Sequence, residues 1–207
     1  DGERLARRGI VVVTINYRLN VFGFLAHPDM LDGNGDMNVG NLDQQFAIKW
    51  IKENIQAFGG DPERITIGGQ SAGGGSVLTQ MNCMENKGYI QGAIIESGMF
   101  GLPFKMGFPA STEEAMEWGK QFLNLLGVST IEEARKLPAS YIRDKNDEFG
   151  KLWGTVNDGI FQKAHYFQNI SSGNFPDIPI LTGWTDNEFI VNGINAVEVG
   201  TRTFCEL

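Results

Sequence analysis

The stretch Arg64–Met84, RITIGGQSAGGGSVLTQMNCM, places the tightest constraint on how this chain can fold. Arg64–Gly69 is a short β-branched run suited to a strand buried on both faces of a parallel sheet. Immediately after Ser71, Ala72–Met84 takes up a helical pattern. A strand that runs through a Gly-rich turn straight into a helix is the junction of a β–α unit, and similar material recurs along the chain. Gly9–Asn16 (GIVVVTIN), Gln91–Ser97 (QGAIIES) and Ile178–Thr182 (IPILT) read as further strands. Leu42–Phe58 puts Phe46, Ala47, Trp50, Ile51, Ile55 and Phe58 close to helical spacing and stops at Gly59-Gly60-Asp61-Pro62. Thr112–Leu126 and Ile131–Leu137 are two more amphipathic helices, followed by a less regular stretch up to Pro179. Short apolar strands alternating with helices imply parallel strands joined by right-handed crossovers, hence an α/β domain: a mostly parallel sheet with flanking helices. No internal repeat, low-complexity linker or domain boundary interrupts the pattern, so residues 1–207 are expected to form a single domain.

Charge narrows the partners. A formal net charge of −8 repels phosphate, which argues against nucleic acid or an anionic membrane and leaves a small uncharged substrate compatible. No apolar run approaches the roughly 18 to 20 residues of a membrane helix. Cys83 and Cys205 cannot build a disulfide framework, and neither has a second Cys or a His at metal-ligand spacing, so both are read as buried or incidental thiols. The sequon Asn169-Ile170-Ser171 is too common a triplet to decide anything.

Three chemistries compete for the Gly-rich turn. A phosphate loop needs Gly-x-x-x-x-Gly-Lys-Ser/Thr, and the register from Gly69 through Gly74 to Ser76 puts Gly75 where the lysine must stand. A dinucleotide fingerprint needs Gly-x-Gly-x-x-Gly at the strand end, which no register supplies. Gly-x-Ser-x-Gly fits Gly69-Gln70-Ser71-Ala72-Gly73 without exception. On such a turn Ser71 is held in a strained backbone as a nucleophile, and Gly69, Ala72 and Gly73 are small because side chains there would collide with strand and helix. The same turn aims the Ala72 N–H, together with the helix N-terminus, at the place where a carbonyl oxygen becomes an oxyanion.

Taken together, Gly9–Leu19 (GIVVVTINYRL), Phe22–Leu25 (FGFL), Gly40–Gln44 (GNLDQ), Phe58–Pro62 (FGGDP) and Ile65–Gly74 (ITIGGQSAGG) resemble the type-B carboxylesterase family. Cholinesterases and bacterial para-nitrobenzyl esterases belong to that family. The blocks follow its order and spacing up to about Gly101, and Asn157–Gly159 and Ile178–Gly183 resemble its later anchors. Gln70, where cholinesterases carry glutamate, resembles the microbial branch. The resemblance implies the α/β-hydrolase fold and hydrolysis of a small carboxylic ester through an acyl-enzyme on Ser71, with no metal or organic cofactor. It places the catalytic acid in Gly183–Phe189 (GWTDNEF), on Glu188, with Asp186 as the alternative; Asn187 and Phe189 stand where the family has Asp and Gly.

A serine hydroxyl needs a base, ordinarily a histidine oriented by that acid. The order in α/β-hydrolases is Ser, acid, His, yet His27 and His165 both precede Glu188 and are read as structural or surface residues. The resemblance implies a base after Leu207 and a Gly-Gly oxyanion motif before Asp1, so the chain is expected to be an internal stretch. Two other readings are weighed: a non-catalytic binding or adhesion protein on the same fold, opposed by Ser71 and Glu188 both being present, and an amidase or thioesterase, because fold does not fix the acyl group.

Overall fold

The computed structural model describes residues 2–33, 35–98, 109, 111–185, 190–191 and 194–195. In chain order its elements are α1 (Glu3–Ala6), α2 (Asn20–Phe24), α3 (Val39–Asn54), β1 (Thr66–Gln70), α4 (Ala72–Asn82), β2 (Gly92–Glu96), α5 (Thr112–Leu126), α6 (Ile131–Ala134), α7 (Ala139–Phe149), α8 (Tyr166–Ser171), β3 (Ile180–Gly183), β4 (Ile190–Val191) and β5 (Ile194–Asn195). They fall into two compact units, Asp1–Val13 with Ile48–Phe104 and Tyr166–Leu207, and Thr14–Ala47 with Lys105–His165.

The first unit holds the sheet. Its order is β1-β2-β3, and both pairings are parallel, running from Thr66↔Gly92 to Gln70↔Glu96 and from Ala93↔Ile180 to Glu96↔Gly183. Helix α4 covers one face, where Val77, Leu78 and Met81 pack with Ala93 and Ile95, flanked by Ile67, Tyr166, Phe175 and Ile178. Fully burying a Val, Leu, Ile or Met side chain of this kind contributes about 1.5–3 kcal/mol. The strands therefore meet expectation in position at Arg64–Gly69, Gln91–Ser97 and Ile178–Thr182, within two residues at either end, but not in burial: β1, expected to be buried on both faces, is exposed or half-buried at every position, and only β2 is largely buried. The sequon asparagine is built into this unit: Asn169 is buried, and its Nδ2 donates to Asn82 Oδ1 at 2.9 Å, so its amide nitrogen is already engaged.

Gly9–Asn16, expected to be a buried strand, is not one here. It pairs with no strand, and Ile10, Val11 and Val13 are 51%, 43% and 43% exposed. A β-branched run becomes a strand only where at least one neighbouring strand supplies ladder hydrogen bonds, and none of the described strands pairs with this one.

In the second unit, α5 shows what amphipathic spacing produces. Ser111 caps its start by accepting the Glu114 N–H at 3.2 Å, and Gly127, at φ 76°, ends it. The helix buries Ala115, Phe122, Leu123 and Leu126. Phe122 meets Trp153 edge-on with centroids 5.6 Å apart, and Phe149 stacks on Trp153 at 5.6 Å. A capping box of Thr130 and Glu133 starts α6. Helix α7 lies in the stretch read as irregular: its sequence ASYIRDKNDEF is so polar that its helical period is hidden, and its one buried residue is Asn146, whose Oδ1 accepts the Trp153 indole N–H at 2.6 Å.

Residues 39–47 of α3 also depart from expectation. Spacing placed Phe46 on an apolar face, but Phe46 is 71% exposed while Asn41 and Gln44 are 1% exposed. Distant partners explain the inversion. Thr155 Oγ1 donates to Asn41 Oδ1 at 2.8 Å, and Asn38 exchanges two hydrogen bonds with the Val156 backbone, at 2.9 and 3.0 Å. Asp43 faces Arg18, which donates Nε–H at 2.8 Å, Nη2–H at 2.6 Å and its backbone N–H at 2.9 Å; the side-chain bonds hold the Asp43 carboxyl below its ordinary range.

Candidate active site

β1 ends at Gln70 and α4 begins at Ala72, leaving Ser71 alone to reverse the chain. Its backbone sits at φ 53°, ψ −122°, a region L-residues avoid at a cost of about 1–3 kcal/mol. Two hydrogen bonds hold it there. The Ser71 N–H donates to the Glu96 carbonyl at 2.8 Å, and the Ser71 carbonyl accepts the Gly75 N–H at 3.0 Å. Ser71 itself is half-buried.

Glycines let the helix approach the strand. A Cβ on Gly69 would strike the Gly73 carbonyl group, as expected from the motif. At Gly73 the expectation fails, because a Cβ there meets nothing within 4 Å among the described residues. The second close approach lies one residue later: a Cβ on Gly74 would come 2.7 Å from Gly98 Cα and 3.1 Å from the Glu96 and Gly69 oxygens. All three are backbone atoms with nowhere to move. Gly74→Ala is therefore expected to cost about 1–3 kcal/mol by overpacking, read as a lower midpoint in chemical denaturation, whereas Gly73→Ala, in a helix with open space around it, should not lower that midpoint.

As the first residue of α4, Ala72 carries an N–H with no intrahelical partner, and it donates to no backbone carbonyl among the described residues. It lies directly beside Ser71 at the positive end of an 11-residue helix. A carbonyl oxygen gaining negative charge at that position meets a ready donor.

The expected acid, Glu188, and its alternative, Asp186, lie outside the described residues, as does Cys205. Their stem is described. β3 runs parallel to β1 with β2 between them, so the segment leaving β3 at Gly183 departs from the same sheet edge as Ser71, about 10 Å away across two strand spacings. Between them lies Ser97, which sequence reasoning missed. Its N–H donates to the Gly183 carbonyl at 2.8 Å, and it too has a positive φ, 50°. A Ser-Gly pair directly after a buried strand was the available signal.

Both histidines lie among the described residues. His27 is buried, and its Nδ1 accepts the Asp29 N–H at 3.2 Å, capping the 3-10 turn Pro28–Asp32. Burial pushes its imidazole below the ordinary value of 6.5, against the opposing pull of the Asp29 carboxylate. His165 is half-buried and is lowered by burial as well. Since the fold favours the neutral imidazole, this stabilisation is fully present above the unfolded value of about 6.5 and is lost as pH falls through the lowered folded value. The melting temperature is thus expected to drop between pH 7.5 and pH 5.5. His27→Asn keeps a cap acceptor and removes one titrating group, so it should flatten that slope; an unchanged slope would assign it to His165 or elsewhere.

A cleft of about 650 Å³ in the first unit does not adjoin Ser71. Met81, Cys83, Asn86, Ile90, Phe175 and Pro179 line it, at the end of the sheet where the strands begin.

A sequence model described as the carboxylesterase family matches residues 1–201. The para-nitrobenzyl esterase of Bacillus subtilis (strain 168) is 36% identical over 200 residues, covering 91% of this chain and 39% of its own length. The bile salt-activated lipase of Rattus norvegicus is 42% identical over 184 residues, covering 87% of this chain and 29% of its own. Among solved structures, the Geobacillus stearothermophilus carboxylesterase EST55 superposes with a TM-score of 0.81 at 35% identity, over 100% of this chain and 43% of that one. The chain thus spans less than half the length of these relatives.

Proposed function

Because this chain belongs to the carboxylesterase family, we propose that it is the part of a single α/β-hydrolase domain in which Ser71 attacks a carboxylic ester and is transiently acylated. The observation that carries this reading is the backbone of Ser71, a non-glycine residue held at φ 53° between a strand and a helix. Strain of that kind is retained where it positions a reacting group. In the proposed step Ser71 Oγ bonds to the carbonyl carbon, its proton passes to a histidine, and the carbonyl electron pair moves onto the oxygen facing the Ala72 N–H. Collapse of that adduct expels the alcohol, which takes the proton, and water activated by the same histidine releases the acid. By the order Ser, acid, His, that histidine is neither His27 nor His165, and Glu188 orients it.

Relatives named for para-nitrobenzyl esters, for bile-activated lipolysis and for cocaine support a carboxylic ester as the substrate class. No helix among the described residues is long and apolar enough to cross a membrane. To test the reading, the gene product containing this chain is treated with a fluorophosphonate and digested. A phosphonyl mass increment on the peptide holding Ser71, with loss of para-nitrophenyl acetate turnover and little turnover of the matched anilide, is expected. An increment mapping to another residue overturns it.

A further inference from the structure

Beside Ser71 stands one charged side chain that ester hydrolysis does not require, Glu96. It closes β2, pairs in register with Gln70 on β1, and its backbone carbonyl is the group that accepts the Ser71 N–H at 2.8 Å. The direction of its side chain follows from strand alternation. Ala93 and Ile95 face α4, packed with Val77, Leu78 and Met81, so Ile94 and Glu96 face the other way. On β1, Ile67 packs with the same cluster and Gly69 abuts Gly73 of α4, which turns Gly68 and Gln70 away; a Cβ on Gly68 would lie 3.6 Å from Ile94 Cβ. Gln70 and Glu96 thus leave one face of the sheet from adjacent strands, about 5 Å apart at the backbone. Both are exposed, and among the described residues the Glu96 carboxylate has no hydrogen-bonding or ion-pair partner.

We propose that Glu96 selects substrate charge at this site, favouring esters with a positive charge close to the scissile bond over uncharged esters of the same shape. The inference rests on the reading of Ser71 as nucleophile. A carboxylate about 7 Å from a cation, in surroundings between bulk water and a protein surface, alters the cation's occupancy about three- to tenfold. The chain's net charge of −8 also draws cations without regard to position, so the effect of Glu96 must exceed that of any other single acid. Glu85 supplies the comparison, since it follows the far end of α4, about 16 Å along the helix from Ser71.

The test measures kcat/KM in the gene product containing this chain for acetylthiocholine and for 3,3-dimethylbutyl thioacetate, its uncharged isostere. Glu96→Gln should lower the ratio of cationic to neutral ester about three- to tenfold, Glu96→Lys should lower it further, and added salt should shrink the difference. Glu85→Gln should leave the ratio within about twofold. An unchanged ratio in Glu96→Gln, an equal loss on both esters, or an equal fall in Glu85→Gln overturns the proposal. Absence of turnover of both esters in the unmodified protein, with Ser71 unlabelled by the fluorophosphonate, is a different result and sinks the nucleophile reading instead.

Discussion

Ser71→Ala in the gene product that carries this chain should reduce kcat for para-nitrophenyl acetate by about 10⁴- to 10⁶-fold with KM little changed, because the lost atom is the one that bonds to the acyl carbon. The Ala72 N–H remains, so a residual rate above that of water alone is expected from the oxyanion donor. A companion substitution separates chemistry from folding. Alanine at φ 53° is as strained as serine, whereas glycine occupies positive φ freely. Ser71→Gly should therefore abolish turnover equally while raising stability by about 1 kcal/mol, seen as a higher denaturation midpoint. Loss of activity in Ser71→Ala accompanied by unfolding would remove the argument for a catalytic role. Retention of more than about 1% of kcat would place the nucleophile elsewhere.

The ease with which that junction was read from sequence has a local cause. β1, Ser71 and α4 are contiguous, and the small residues that let them pack lie within the same stretch, so pattern and geometry coincide. Elsewhere the deciding partner is remote. Asn38 and Asn41 look like polar surface until Val156 and Thr155, more than a hundred residues away, satisfy them and turn that side of α3 inward, leaving Phe46 outside. Gly9–Asn16 has the composition of a buried strand but forms none, since strand formation is a property of the pair rather than of the run. Gly74 was missed for a related reason. Only the return of β2 brings Gly98 against it, and a motif defined along one segment cannot register that meeting. Ser97 likewise acquires its place from the Gly183 carbonyl across the sheet.

Glu188 was legible through family resemblance alone, which makes its substitution the sharper test of the site. β3 delivers its chain to the edge from which Ser71 projects, two strand spacings from β1. An imidazole, hydrogen-bonded at each ring nitrogen, can bridge a serine and a carboxylate arriving on strands so separated, the two side chains closing the rest of the gap. The carboxylate's work is to fix the tautomer and to stabilise the imidazolium formed as Ser71 loses its proton, and both needs are absent from the ground state. Glu188→Gln preserves size and removes the charge, so kcat should fall about 10³- to 10⁴-fold while KM stays within about threefold. Asp186 lies two residues closer to β3, and Asp186→Asn should cost less than about threefold if it only decorates the segment. Reversal of the two results would move the acid to Asp186. Equal, small losses in both would mean that neither carboxylate reaches the base, and that the chain positions a serine without the acid that makes it reactive.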